Sequence, residues 1–100
     1  MPLPQGPIAG PDRYQDVHLE LDFGRATVAL DSRRIVLTRK EYELLSLLVR
    51  NAGEIIPRAT LLWRVWGYST QIRTRTLDVH IRRLRKKLGG YSEQYIETIF

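Results

Sequence analysis

The sequence predicts an α+β domain: an N-terminal antiparallel sheet, then three helices, then a final β-prone stretch. Two observations carry this. Apolar residues alternate with polar ones through the first strand, the mark of a half-buried strand, but recur at helical spacing after Thr38. Turn-forming residues also fall between these runs, at Gly24, Asp31-Ser32, Asn51-Ala52-Gly53, Gly67 and Gly89-Gly90. One hundred residues make one domain, large enough to bury a core but with little to spare.

Residues 1–13, MPLPQGPIAGPDR, hold four of the five prolines and read as a linker or tail, leaving 14–100 as the domain. In VHLELDF, Val17, Leu19, Leu21 and Phe23 alternate with polar residues and predict a strand. ATVAL and RIVL follow as short strands across the turn-rich DSR. The simplest arrangement is a three-stranded meander, or four-stranded if Tyr14–Asp16 pairs. Thr38 followed by Glu41 is a capping box, and Tyr42, Leu44, Leu45, Leu48 and Val49 give a helix over roughly 39–51. Glu54-Ile55-Ile56 has the length of a bridging strand. Pro57 suits a helix start, where its missing N–H is not needed, so a second helix runs over roughly 58–66 with Leu61, Leu62, Val65 and Trp66 near one side. Gly67 ends it. After a loop, the third helix runs to Leu88, where Gly89-Gly90 breaks it, and QYIETIF is β-prone.

Charge is divided unevenly. Residues 1–50 carry seven Lys/Arg and seven Asp/Glu; residues 51–100 carry nine and four, and so the whole net charge of +5. All nine bases lie between Arg58 and Lys87, where Asp78 is the sole acid. A local field of this sign implies a polyanionic partner.

RTRTLDVHIRRLRKKL, residues 73–88, concentrates seven of those bases. With Leu77 at 0° and 100° per residue, Ile81, Leu84 and Leu88 fall within about 40° of it, a narrow core face. Arg75, Val79, Arg82, Arg83 and Lys86 fall between about 140° and 240°, with Thr76 beside them. Three readings compete. A solvated face usually mixes signs for i,i+4 pairing, and here Asp78 alone opposes seven bases. A membrane-surface helix needs a broad insertion face, whereas this one is narrow and required for the core. A groove-reading helix needs guanidinium forks for guanine edges and phosphates and a small apolar group for a thymine methyl. The pattern favours nucleic acid, with docking on an acidic protein surface as the alternative. RNA is disfavoured because the strands carry no interleaved aromatic platforms.

His80 flanks the core face, and His18 lies on a distant strand. With no Cys and no clustered carboxylates, no metal site, cofactor or thiolate chemistry is expected. Nucleophile–base pairs and phosphate-cradling glycine loops are absent too, so the chain does not read as an enzyme. Trp63 and Trp66 are expected in the core, although one could lay its ring against a DNA backbone. Arg58 and Arg64 are phosphate candidates, Arg58 the better for standing at a helix N-terminus. No apolar run approaches the ~18 residues of a membrane span and no signal-peptide pattern opens the chain, so a reducing, cytoplasmic location without a membrane is expected.

LTRKEYELLSLLVRNAGEIIPRATLLWRVWG followed by RTLDVHIRRLRKKLG resembles the effector domain of OmpR/PhoB-type response regulators, over about Val17 to Phe100. The resemblance implies a winged helix-turn-helix fold whose third helix reads DNA and whose C-terminal hairpin is the wing. It also implies transcription regulation in a two-component system, with a phosphorylated receiver domain upstream, residues 1–13 then being the interdomain linker. Matching positions make Arg75, Thr76, His80, Arg82, Arg83 and Arg85 DNA contacts on the third helix. Arg58 and Trp66 match backbone contacts on the second helix, and Thr98 a phosphate contact at the base of the wing. The loop from Gly67 to Thr74 matches the segment by which some members touch RNA polymerase, which makes Gly67, Tyr68, Ser69, Thr70, Gln71 and Ile72 candidates. Combined with the wheel, Arg75, Val79 and Arg82 are the expected base-readers. Arg58, Trp66, Arg73, Thr76, His80, Arg83, Arg85, Lys86 and Thr98 are phosphate or flanking contacts. A head-to-tail dimer on double-stranded DNA is expected. Pro57 stands where a Ser/Thr cap is frequent, and Phe100 where several members carry a minor-groove Arg. The sequence stops before the Gly-x-Gly-Tyr stretch of the hairpin turn, so a truncated wing strand is expected.

Overall fold

Leu19 and Leu21, at the centre of the predicted alternation, are both buried on strand β3 (Leu19–Asp22), with Glu20 exposed between them. A computed structural model describes residues 8–9, 12–52, 54–67 and 74–96, divided into two units, Met1–Val36 and Leu37–Phe100.

The first unit is an antiparallel meander of β1 (Ile8–Ala9), β2 (Arg13–Gln15), β3, β4 (Thr27–Leu30) and β5 (Arg33–Ile35), in sequence order across the sheet. Tyr14, Leu21, Val28 and Ile35 lie opposite one another on successive strands and form one apolar row. Two expectations need correcting. The sheet starts earlier than the alternation suggests: Ile8 and Ala9, inside the stretch read as a linker, pair with Gln15 and Tyr14, and Arg13 opens β2. Val17, expected to face inward, is 90% exposed. The cause is Asp16, whose Oδ1 accepts the N–H groups of His18 and Leu19 at 2.8 Å each and turns the chain before β3 begins. The other carboxylate oxygen of Asp16 accepts the Tyr14 hydroxyl at 2.7 Å; burial and then this carboxylate push the phenol well above the usual tyrosine range.

Asp31 and Ser32 form the two-residue loop between β4 and β5, with φ of 49° and 66°. Positive φ at both central residues is the type I′ geometry that glycine favours at the second position. Ser32 carries a left-handed penalty that glycine lacks. Ser32→Gly is therefore expected to stabilise the domain by about 0.5–1 kcal/mol, after glycine's greater chain entropy is offset. A urea midpoint that fell would contradict this.

The second unit holds α1 (Arg39–Arg50), α2 (Arg58–Trp66), α3 (Thr74–Leu88) and a short α4 (Ser92–Tyr95), which follows a 3-10 turn over Gly89–Tyr91. The capping box forms as expected: Thr38 Oγ1 accepts from Glu41 N at 3.2 Å, and Thr38 N donates to Glu41 Oε1 at 2.8 Å. Asn51 closes α1 through its backbone and side-chain N–H groups, both donating to the Leu47 carbonyl. Pro57 occupies the N-cap of α2 without a side-chain bond, and Gly67, at φ 81°, ends it. The core is made by Leu44, Leu45 and Val49 of α1, Leu61 and Val65 of α2, and Leu77, Ile81, Leu84 and Leu88 of α3.

Glu54-Ile55-Ile56 does not form the expected strand; Ile55 is exposed, and none of the five strands includes it. Gln94 and Tyr95, read as β-prone, are helical, and Ile96 after them is buried. Thr98 and Phe100 lie outside the described residues, as does the remainder of the expected wing strand.

Candidate nucleic-acid interface

Helix α3 ends at Leu88 as its pattern predicts, and its faces separate as the wheel requires. Leu77, Ile81, Leu84 and Leu88 are buried, while Arg75, Arg82, Arg83 and Lys86 are exposed. Val79 is half-buried rather than fully exposed, and with Arg75, Asp78 and Arg82 it lines one shallow, open groove. The expected base-readers thus share one concavity. Arg75 also stands in the first turn, where unpaired backbone N–H groups add positive potential.

Two contacts join α2 to this helix. Arg58, in the first turn of α2, donates from a terminal guanidinium nitrogen to Asp78 Oδ1 at 2.6 Å. At the other end of α2, the Trp66 ring meets the His80 ring edge-on, with centroids 4.9 Å apart and planes at 77°. His80 Nδ1 lies 2.8 Å from the Thr76 carbonyl oxygen. A carbonyl can only accept, so Nδ1 carries the proton and the imidazole is fixed to its own helix.

Neither tryptophan is a core residue, contrary to expectation. Trp63 is 50% exposed and Trp66 half-buried. Leu61 and Val65 occupy the inward face of α2, and Trp63, two residues from each, projects about 200° from them. Arg85, a DNA contact by resemblance, differs from the exposed Arg82 and Arg83. It is half-buried, and its Nε is enclosed without a hydrogen-bond partner among the described residues. Thr76 is half-buried. Gly67 is the last described residue before α3; Tyr68, Ser69, Thr70, Gln71, Ile72, Arg73 and Thr98 lie outside the described residues.

The sequence did not show what holds α3 in position. Lys87, in its last turn, donates to Glu41 Oε1 at 2.6 Å, and Glu41 is 1% exposed. Burial alone would raise the Glu41 carboxyl; the hydrogen bond from Lys87, with those from Thr38, outweighs it and leaves the group below the usual carboxylate range. Lys40 Nζ donates to the Val65 carbonyl at 2.7 Å and satisfies an end group of α2. The capping-box signal at Glu41 marked its place on α1 but not its second partner, 46 residues away. Asp78, alone among nine bases, was the one sequence signal for the Arg58 contact.

Among the described residues no group of His, Cys, Asp and Glu could hold a metal ion. No helix among them is long and apolar enough to cross a membrane.

Residues 32–100 match the family model described as Transcriptional regulatory protein, C terminal. The chain belongs to this family. It is of the OmpR/PhoB type, the effector domains of response regulators, and its sheet and helices match the winged helix-turn-helix fold of those domains. It is 45% identical over 82 residues to the transcriptional regulatory protein HprR of Escherichia coli (strain K12), covering 81% of this chain and 37% of that protein. The solved response regulator DrrB, a Thermotoga maritima OmpR/PhoB homologue, superposes with a TM-score of 0.79 at 34% identity, over 89% of this chain and 41% of that one. The DNA-binding domain of Klebsiella pneumoniae RstA, solved in complex with the RstA box, gives a TM-score of 0.64 at 30% identity, over 82% and 75%. The effector domain spans roughly a third of the length of the curated relatives it matches, 37% and 36% for HprR and a staphylococcal ArlR.

Proposed function

We propose that this effector domain binds double-stranded DNA sequence-specifically, with α3 in the major groove, and so regulates transcription at the output of a two-component system. The division of α3 carries the reading: a buried leucine–isoleucine face opposes an exposed face of Arg75, Arg82, Arg83 and Lys86 with Val79 among them. A helix with one exposed basic face suits a groove about 12 Å wide, and its side chains can address base edges there. Arg75, Val79 and Arg82 read bases; Arg83, Lys86 and Arg58 hold phosphates, with Trp66, Arg73, Thr76, His80, Arg85 and Thr98 flanking. The relative RstA, crystallised on its own DNA box, supports the same mode of action. The function is binding and not catalysis. In the longer protein a receiver domain upstream of the sheet supplies phosphorylation control in the cytoplasm. Two domains then sit head-to-tail on tandem half-sites, and the loop from Gly67 to Ile72 faces RNA polymerase.

Base contacts specify, whereas phosphate contacts position without carrying sequence. Arg82→Ala is accordingly expected to cost roughly 1–3 kcal/mol on the preferred site and to relax specificity, while Arg83→Ala weakens all sequences alike. The measurement is selection of bound sites from a random duplex pool, followed by titration of the selected and random duplexes. An unchanged specific-to-random ratio in Arg82→Ala would remove it from the base-readers. If the unsubstituted domain ignored every duplex at low salt, protein docking would be the better reading of the basic helix.

A further inference from the structure

Asp78 is the sole acid between Arg58 and Lys87, a segment with nine bases. It stands on the DNA-facing side of α3, lining the same groove as Arg75, Val79 and Arg82. A carboxylate there repels phosphate, so its presence in this patch needs a reason. Helix stability is a poor one, because an exposed ion pair contributes at most about 1 kcal/mol. The geometry offers another. Asp78 Oδ1 holds a terminal nitrogen of Arg58 at 2.6 Å, the side chains being 53% and 29% exposed, and Arg58 is the guanidinium at the N-terminus of α2.

We infer that Asp78 is a positioning and specificity-determining residue, which holds the Arg58 guanidinium for a phosphate met only when α3 is fully seated, and neutralises it elsewhere. This rests on the DNA-binding reading above. A guanidinium has five N–H donors in a fixed fork, so one edge can stay on Asp78 while another takes a phosphate oxygen. In the seated complex Asp78 has two opposed effects: its charge repels the backbone, and its hydrogen bond pre-orders Arg58, saving side-chain entropy. On random DNA, which is bound almost wholly through phosphate charge, no phosphate need stand at that angle. Only the repulsion and the neutralised Arg58 then remain. Asp78 thus subtracts from random binding what it leaves nearly unchanged at the preferred site.

The test uses Asp78→Asn, which keeps the shape of an exposed side chain. Dissociation constants are measured for the preferred and a random duplex over a series of salt concentrations, with melting temperatures as the folding control. Random-duplex affinity is expected to rise roughly three- to tenfold near 0.1 M salt, with its log K against log salt slope steeper by about 0.9, the value of one added phosphate contact. Preferred-site affinity is expected to change less than about twofold, so the ratio falls. In an Arg58→Ala background the same substitution should barely move the ratio, which separates an effect through Arg58 from simple loss of a negative charge. An unchanged ratio, or an equal fall in both backgrounds, would overturn the assignment of Asp78 while leaving DNA binding intact. Failure of the unsubstituted domain to bind any duplex would overturn both.

Discussion

Affinity for the preferred duplex is expected to fall about 100- to 1,000-fold between roughly 50 and 200 mM salt, from four to six phosphate contacts each releasing counterions. The estimate follows from which cations are available. Arg83, Lys86 and Arg58 are the proposed phosphate anchors, with Arg73 and Arg85 flanking them, whereas Arg75 and Arg82 address bases and Lys87 is committed to Glu41. Simple counting of the nine bases in the segment would give a steeper dependence than the structure supports. The corresponding log–log slope is about −4 to −5, set by a factor near 0.9 per phosphate. Titration of a labelled duplex at four or five salt concentrations measures it directly. A flat response would mean that the basic face of α3 meets no phosphate backbone, and the proposed function would fail. Because Arg58 meets a phosphate only when α3 is fully seated, the slope for random DNA is expected to be shallower than that for the preferred site by about 0.9. Base-edge contacts, which salt screens less, carry the rest of the difference between the two.

What could be read in advance divides along a physical line. Helix α3 was legible because fifteen residues of strong periodicity leave one orientation for Leu77, Ile81, Leu84 and Leu88. Helix α1 was legible through Thr38 and Glu41, a local hydrogen-bond pair whose chemistry is written in three-residue spacing. Short elements were not. A four-residue helix such as α4 spans barely one turn, so Gln94 and Tyr95 gave no period to read. Asp16 moved Val17 outward through hydrogen bonds that compete with the strand, a local effect that alternation ignores. The site divides in the same way. Its faces followed from the wheel, but the Arg58–Asp78 and Trp66–His80 contacts join residues distant in sequence, which spacing within one helix does not report.

Lys87→Met is expected to destabilise the domain by about 2–3 kcal/mol near pH 7, below the 3–5 typical of breaking a fully buried pair because Lys87 itself reaches solvent. The substitution keeps the aliphatic packing of the last turn of α3 but leaves the Glu41 carboxylate enclosed with only the Thr38 amide and hydroxyl contacts nearby. The sign of the pH dependence distinguishes this from ordinary loss of packing. In the unsubstituted domain the Glu41 carboxyl lies below its ordinary range, so its stabilisation is present above the unfolded-state value and is lost as pH falls through the folded-state one. Without Lys87, burial prevails and the carboxyl rises, so folding takes up a proton and the variant loses less stability on acidification. The gap between the two proteins should therefore be widest near pH 7 and smallest at an acid pH where the carboxyl is protonated in both. Urea denaturation at the two pH values reads it. Glu41→Gln combined with Lys87→Met should recover much of the loss, since the amide can still accept the Thr38 N–H and no buried charge remains. A gap of the same size at both pH values would show that Lys87 acts through packing, and that α3 is not held to α1 by this charge.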